Sequence, residues 1–263
     1  MLNFNSLYSG STGNSLFLES DNSKILIDTG VSAKKITDAL TSFKVDINDI
    51  DAILVTHEHT DHVQSLGTIS RKYNIPVYAT KETFDAMPKQ TEKIAYSNIN
   101  YFNSNETFEI KDLTIKPFSI PHDAANPCGF NIINNEKKVS IATDIGNMNL
   151  EILNKLEGSS FLLLESNYEP ELLRCSSYPY PLKQRIASNI GHLPNEMAGK
   201  TIAYLLDSGL KQVVLGHLSK ENNFPELAYK TVVEQLINKN FDENSIKISV
   251  ASRTEPSKKF KIN

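Results

Sequence analysis

Apolar residues recur along this chain in two rhythms: short runs with the length of buried strands, and stripes spaced three and four apart. Ser15–Glu19, Lys24–Asp28, Ala52–Thr56, Pro76–Ala79, Leu113–Ile120, Cys128–Ile133 and Val139–Ala142 read as strands, many ending in turn-forming Asp, Asn or Gly. Between them Ala33, Ile36, Leu40 and Phe43 share one helical face behind the cap residue Ser32. Val63, Leu66, Ile69 and Tyr73 share another, and Thr80–Met87 predicts a short helix that stops at Pro88. The second part repeats the alternation with a strand at Phe161–Glu165, a helix from about Pro194 to Leu206, a strand at Gln212–Gly216, a helix from about Pro225 to Ile237 and a strand at Ile246–Val250. That order predicts an α/β fold of sandwich type, two sheets with helices outside, in a single domain spanning residues 1–263. Such a length suffices to bury roughly three quarters of the surface of the unfolded chain.

Composition narrows the function classes. The two cysteines, Cys128 and Cys175, show no zinc-ribbon or redox spacing and read as unpaired thiols in a reducing compartment. The amino terminus lacks the basic and apolar segments of a signal peptide, and no eighteen apolar residues run together, so a soluble, cytoplasmic protein with no membrane partner is expected. A formal net charge of −4 argues against a nucleic-acid binder of the ordinary basic kind. Divalent ions would offset that deficit locally, however. Basic residues also gather at Arg174, Lys183 and Arg185 and in the tail at Arg253, Lys258, Lys259 and Lys261.

The densest chemistry lies in His57-Glu58-His59-Thr60-Asp61-His62, which puts four potential metal ligands into six residues after the strand Ala52–Thr56. A strand end feeding a helix start is a rigid mount, and ligands fixed in advance lose less entropy when they bind a metal. Of six histidines in all, the other three are His122, His192 and His217, each closing an apolar run or lying in a Gly- or Pro-flanked turn. Asp144 closes the run Ile141-Ala142-Thr143 in the same way. Strand ends in a layered α/β fold are where ligands bind.

This ordered set resembles the metallo-β-lactamase superfamily, and the likeness covers nearly the whole chain. The resemblance implies an αββα sandwich and two divalent metal ions. Carried over by motif, His57, His59 and His122 would hold one ion, Asp61, His62 and His217 the second, and Asp144 would bridge them. Imidazole and carboxylate donors suit zinc, with manganese also compatible since no thiolate takes part. Asp28, before Thr29-Gly30, matches a residue that steadies the ligand loop, a role compatible with capping the turn.

The superfamily hosts many chemistries, so the substrate has to be argued from further residues. A bridging Asp144 resembles the nucleases and glyoxalase II types rather than true lactamases. Glu165 in Leu162-Leu163-Leu164-Glu165-Ser166-Asn167 and His192 in Gly191-His192-Leu193-Pro194-Asn195 resemble the acid and histidine motifs of RNase Z and RNase J-type nucleases, a pair that glyoxalase II enzymes lack. The turn Ser9-Gly10-Ser11-Thr12-Gly13-Asn14-Ser15 and the segment Leu215–Asn223 are similar to the small bacterial YycJ/WalJ subgroup, which resembles a DNA exonuclease and is associated with a cell-wall signalling system. The stretch from Asp144 to His217 is too short for the extra domain of RNase J-type enzymes.

The resemblance therefore implies a two-metal phosphodiesterase acting on DNA rather than RNA, most specifically an exonuclease. Its nucleophile would be a hydroxide bridging ions roughly 3.5–4 Å apart. Asp61, Glu165 and His192 are the expected catalytic residues, with His192 oriented by Glu165 to protonate the leaving sugar oxygen. Ser11, Thr12, Asn14, Ser219 and Asn222 are the expected substrate contacts. The alternatives are a hydrolase of small phosphodiesters or thiolesters of glyoxalase II type, or a metal-stabilised regulatory partner of a cell-wall signalling system.

Overall fold

A computed structural model describes residues 1–89, 93–239, 241 and 245–262. Strand β1 (Leu2–Tyr8) opens the chain, followed by β2 (Ser15–Glu19), β3 (Lys24–Ile27), helix α1 (Ala33–Ser42) and β4 (Ala52–Leu54). Next come α2 (Thr60–Val63), α3 (Leu66–Tyr73), β5 (Val77–Ala79), α4 (Lys81–Ala86), β6 (Ile99–Tyr101), β7 (Phe108–Ile110), β8 (Leu113–Ser119) and β9 (Cys128–Asn134). The later elements are β10 (Lys137–Ala142), α5 (Leu150–Leu156), β11 (Phe161–Glu165), α6 (Pro170–Cys175), α7 (Tyr180–Ile186), α8 (Asn195–Leu205), β12 (Gln212–Gly216), α9 (Pro225–Asn238), β13 (Lys247–Val250) and β14 (Phe260–Ile262). No helix among the described residues is long and apolar enough to cross a membrane. Both cysteines are free thiols, Cys128 buried and Cys175 exposed.

The chain divides into two compact units. The first comprises Met1–Ser119, Ala124–Glu136 and Ser252–Asn263. Its main sheet has the order β14-β1-β2-β3-β4-β5-β6, antiparallel from β14 to β3 and parallel from β3 to β6. Strands β7, β8 and β9 pair antiparallel. Helix α1 forms as the pattern predicts: Ser32 caps it by accepting the Lys35 N–H, and Ile36, Ala39 and Leu40 are buried. The helix expected over Val63–Tyr73 is instead two pieces, α2 and α3. The cause is competition for carbonyls. The Asp61 carbonyl accepts the Asn14 N–H at 2.8 Å, the His62 carbonyl accepts the Thr29 N–H at 2.7 Å, and the Ser65 N–H turns to the Thr29 carbonyl at 3.0 Å.

Strand β1 carries Asn3, Asn5 and Ser6 among apolar residues yet is buried along its length. The Asn3 amide donates to the Glu19 carboxylate, the Asn5 amide to the Ser257 carbonyl and the Ser6 N–H to the Ser257 hydroxyl, so these polar positions are held by neighbours in the same unit. The basic tail is structured for the same reason, with β14 paired to β1 and Lys259 paired with Glu19.

The second unit comprises Ile120–Asp123 and Lys137–Ala251. Strands β10 to β13 run parallel in sequence order. A parallel strand covered on both faces reads as a continuous apolar run, and Phe161, Leu162, Leu163 and Leu164 are accordingly all fully buried. Crossovers α5, α8 and α9 link these strands, and α8 packs against α9.

Candidate metal centre

Chemistry-bearing residues sit just beyond strand ends, and three of them share an uncommon backbone. Asp28 follows β3, Asp144 follows β10 and His217 follows β12, with φ of 59°, 61° and 54°. The left-handed region is rarely occupied by residues other than glycine and clusters at functional sites.

In the first unit Thr56 and Asp28 fix the histidine string. The Asp28 carboxylate accepts the Thr56 N–H at 2.9 Å, the Thr56 hydroxyl at 2.8 Å and the His62 Nδ1 at 2.8 Å. Because the single hydroxyl proton of Thr56 goes to Asp28, its oxygen accepts from His57 Nδ1, 3.0 Å away. Both imidazoles therefore carry their proton on Nδ1 and present the lone pair of Nε2, the tautomer that ligation through Nε2 needs. His57 Nε2 then faces His59 Nδ1 at 3.1 Å, and His62 Nε2 lies 3.5 Å from the Asp61 carboxylate. Two nitrogens on one tetrahedral zinc stand about 3.3 Å apart, so this donor set fits divalent ions. Glu58 accepts the Ala125 N–H at 2.7 Å and braces a neighbouring loop.

Of the expected substrate contacts in this unit, Ser11 and Thr12 are exposed at the tip of the first turn, whereas Asn14 is buried. Asn14 accepts the Gly10 N–H at 2.9 Å, and its amide nitrogen lies 3.1 Å from His62 Nε2 and 3.4 Å from the Asp61 carboxylate. Gly30 secures this arrangement from the other side. A Cβ there would stand 1.6 Å from the Asp61 carbonyl oxygen and 2.8 Å from the Asn14 nitrogen. Gly30→Ala should therefore push the Asp61 loop outward, lowering stability by about 1–3 kcal/mol. It should also release divalent ion to a colorimetric chelator at lower chelator concentration than wild type. Unchanged release would mean that the loop can shift without disturbing its ligands.

In the second unit a fully buried carboxylate organises two histidines. Glu165 Oε1 accepts from His192 Nδ1 at 2.8 Å and from His217 Nδ1 at 2.9 Å, while Oε2 accepts the N–H groups of Ile145 at 2.7 Å and Leu193 at 3.1 Å. Burial alone would raise this carboxyl. The charge of His192 and the hydrogen bonds from both histidines outweigh burial and hold it below its ordinary value. A ligand atom from each of Asp144, Glu165, His192 and His217 lies within 4.8 Å of the others. The contacts of 2.8 and 2.9 Å are nevertheless hydrogen bonds, so Glu165 fixes tautomers and both rings present Nε2 elsewhere. Asn167 adds a clamp by donating to the His217 carbonyl at 2.8 Å.

His122 Nδ1 bonds the Gly191 carbonyl at 3.1 Å, and its Nε2 lies 3.8 Å from Asp144 Oδ1. Burial lowers the His122 pKa against the pull of Asp144, which favours the neutral, ligating form. Ser219 and Asn222, the other expected substrate contacts, are buried. Asn222 donates to the Ser219 hydroxyl through its backbone at 3.2 Å and its side chain at 3.3 Å. Sequence reasoning missed the second partner of Glu165 and the brace made by Asn14. No motif signals either, since both depend on which strand ends are neighbours.

A family model described as "Beta-lactamase superfamily domain" matches residues 23–218. The chain belongs to that superfamily. It is 40% identical over 232 residues to "Exodeoxyribonuclease WalJ" of Streptococcus pneumoniae (strain ATCC BAA-255 / R6), covering 88% of this chain and 86% of the relative. It is 37% identical over 240 residues to "Exodeoxyribonuclease YycJ" of Bacillus anthracis, covering 91% of each. Among solved structures, the metallo-beta-lactamase fold protein YhfI from Bacillus subtilis superposes with a TM-score of 0.70 at 14% identity, over 98% of this chain and 100% of that one. Human tRNase Z, short form, gives 0.65 at 14% identity, over 100% of each. These structural likenesses concern the fold, which is the α/β metallo-β-lactamase type expected from the sequence.

Proposed function

We propose that the protein is a two-metal phosphodiesterase that degrades DNA from its ends, folded as one metallo-β-lactamase domain over residues 1–263 and acting in the cytoplasm. His57, His59 and His122 would hold one divalent ion, Asp61, His62 and His217 the other, with Asp144 between them. Zinc and manganese both suit these donors. When bound, such ions supply Lewis acidity toward phosphoryl oxygens and make a water acidic enough to attack phosphorus. The chain's own residues do the rest. Asp28, Thr56 and Glu165 keep Nδ1 of His57, His62 and His217 protonated, so that Nε2 is the donor. His192, anchored through Nδ1 to Glu165, would carry a proton on Nε2 and give it to the departing sugar oxygen.

The observation that carries the reading is the 2.8 Å bond between His192 and the buried Glu165. Hydrolysis of a thiolester expels a stable thiolate and has little use for such a proton donor. The identity to relatives named exodeoxyribonucleases supports DNA as substrate.

The test offers end-labelled DNA, end-labelled RNA and a thiolester in parallel to the protein loaded with manganese or zinc. The expected outcome is release of nucleotides from DNA ends, with little attack on RNA and none on the thiolester. Binding should also weaken as salt rises, because counterions leave the phosphates when protein replaces them. Thiolester turnover without nuclease activity would select chemistry of the glyoxalase type. Inactivity toward all three, with either metal, would leave a regulatory partner as the better description.

A further inference from the structure

Helices α6 and α7 pack through one set of residues and line a cavity with another. Leu182 and Ile186 of α7 turn inward and pack with Tyr178 against Tyr168 and Leu173. A different stripe, formed by Tyr180, Lys183 and Gln184 of α7 and Ala187 just past its end, at spacings of three, four and seven, lines a cavity of about 360 Å³. The opposite wall comes from Tyr168 and from the α6 stripe Pro170, Leu173 and Arg174. The volume falls within the roughly 300–1,000 Å³ of small-molecule sites.

The lining is apolar and aromatic with two cations and no acid, in a chain whose net charge is −4. Tyr180 is 71% exposed, a large ring left facing water. The Lys183 ammonium is held by the carbonyls of Arg174 and Ser176 at 2.8 and 2.7 Å, which fixes its position without neutralising its charge. Arg174 pairs with Glu171 on the open surface. An exposed pair of that kind is worth little, so a phosphate can take the carboxylate's place at low cost.

Position ties this cavity to the Glu165 and His192 pair in the same unit. Tyr168 stands three residues after Glu165 and bridges to Pro194, two residues after His192. The other wall is fastened directly, since the carbonyl of Ile186 at the end of α7 accepts the His192 N–H at 2.9 Å. Gly191 makes that approach feasible, because a Cβ there would stand 2.2 Å from the Arg185 and Ile186 carbonyl oxygens. The two chain segments that hold the proton donor are thus the two walls of the cavity.

We infer that this cavity is a nucleotide subsite that takes one unstacked base and its phosphate from a single-stranded DNA end. The inference rests on the proposed nuclease reading and adds to it how the strand is gripped. The base stacks on Tyr180 over the apolar floor, and Arg174 and Lys183 take the phosphate. A duplex cannot present an unstacked base there without fraying, so single strands bind better.

The chain contains no tryptophan, so Tyr180→Trp creates a single reporter. On metal-loaded protein, with phosphorothioate linkages to block cleavage, a single-stranded oligonucleotide should quench its fluorescence saturably, a blunt duplex weakly, and an oligonucleotide of abasic sites hardly at all. In a gel-shift assay Tyr180→Ala should weaken single-strand binding about 5–100-fold, as loss of one stacked base does. Tyr180→Phe should keep wild-type affinity, since the ring is retained. Arg174→Ala should lower the salt slope of binding by about one ion. Equal quenching by abasic and ordinary strands, or Tyr180→Ala binding as well as wild type, overturns the subsite; indifference to the base is what a peptide groove would show. The two readings fail separately: digestion of DNA with an indifferent tryptophan removes the subsite alone, while base-dependent quenching without any digestion removes the nuclease reading alone.

Discussion

Glu165→Gln should lose divalent ion, with affinity falling about 10–100-fold, the usual cost of removing a group that orients a metal-binding histidine. The argument is one of proton bookkeeping. Glu165 Oε2 faces two backbone N–H groups, of Ile145 and Leu193, which can only donate. The amide oxygen of glutamine must therefore stay on that side, and its NH2 must face the Nδ1 atoms of His192 and His217. Both imidazoles then have to accept at Nδ1 and move their proton to Nε2. A His217 protonated on Nε2 has no lone pair there for a metal.

Glu165→Leu should be worse still and fail to fold. It leaves the buried N–H groups of Ile145 and Leu193 and the Nδ1 of His217 without this acceptor, at about 1–3 kcal/mol each, against a total stability of about 5–15 kcal/mol. Competition with a chelator measures the first effect, and circular dichroism on heating the second. Wild-type metal affinity in Glu165→Gln would show that His217 Nε2 is not a ligand atom.

That prediction differs from what the sequence alone supports, and the reason is physical. From sequence, Glu165 has one expected partner, His192, because a motif links an acid to a histidine but is silent on which strand lies alongside. Strand β11 pairs in parallel with β12, Glu165 opposite Gly216, and this register brings His217 to the same carboxylate oxygen. The long apolar strands were legible for a related reason: burial on both faces leaves an uninterrupted run such as Phe161–Leu164. Strand β1 was not legible, since Asn3, Asn5 and Ser6 are buried against partners distant in the chain. Nor was the break between α2 and α3, because the carbonyls of Asp61 and His62 are claimed by Asn14 and Thr29. Local pattern records propensity and periodicity, whereas these features depend on long-range competition for hydrogen bonds.

His192→Ala should slow DNA cleavage by roughly 10²–10⁴-fold while barely altering hydrolysis of a bis-nitrophenyl phosphodiester. A sugar alkoxide is a poor leaving group and needs a proton as the bond breaks; a nitrophenolate leaves unaided. The surroundings of His192 suit that proposed role. Its side chain is 14% exposed, whereas those of His122 and His217 are 1% exposed, so it alone of the three opens toward solvent. Its Nδ1 is committed to Glu165, so Nε2 is the nitrogen left to carry a transferable proton. Alanine removes the proton but none of the seven expected metal ligands, so the small substrate keeps its nucleophile and its Lewis acid. His192→Gln makes the comparison sharper, since an amide can still accept or donate a hydrogen bond but cannot give up a proton at neutral pH. Equal slowing of both substrates, accompanied by loss of bound metal, would instead make His192 part of the metal site or its scaffold. In that case the preference for poor leaving groups must come from elsewhere in the chain.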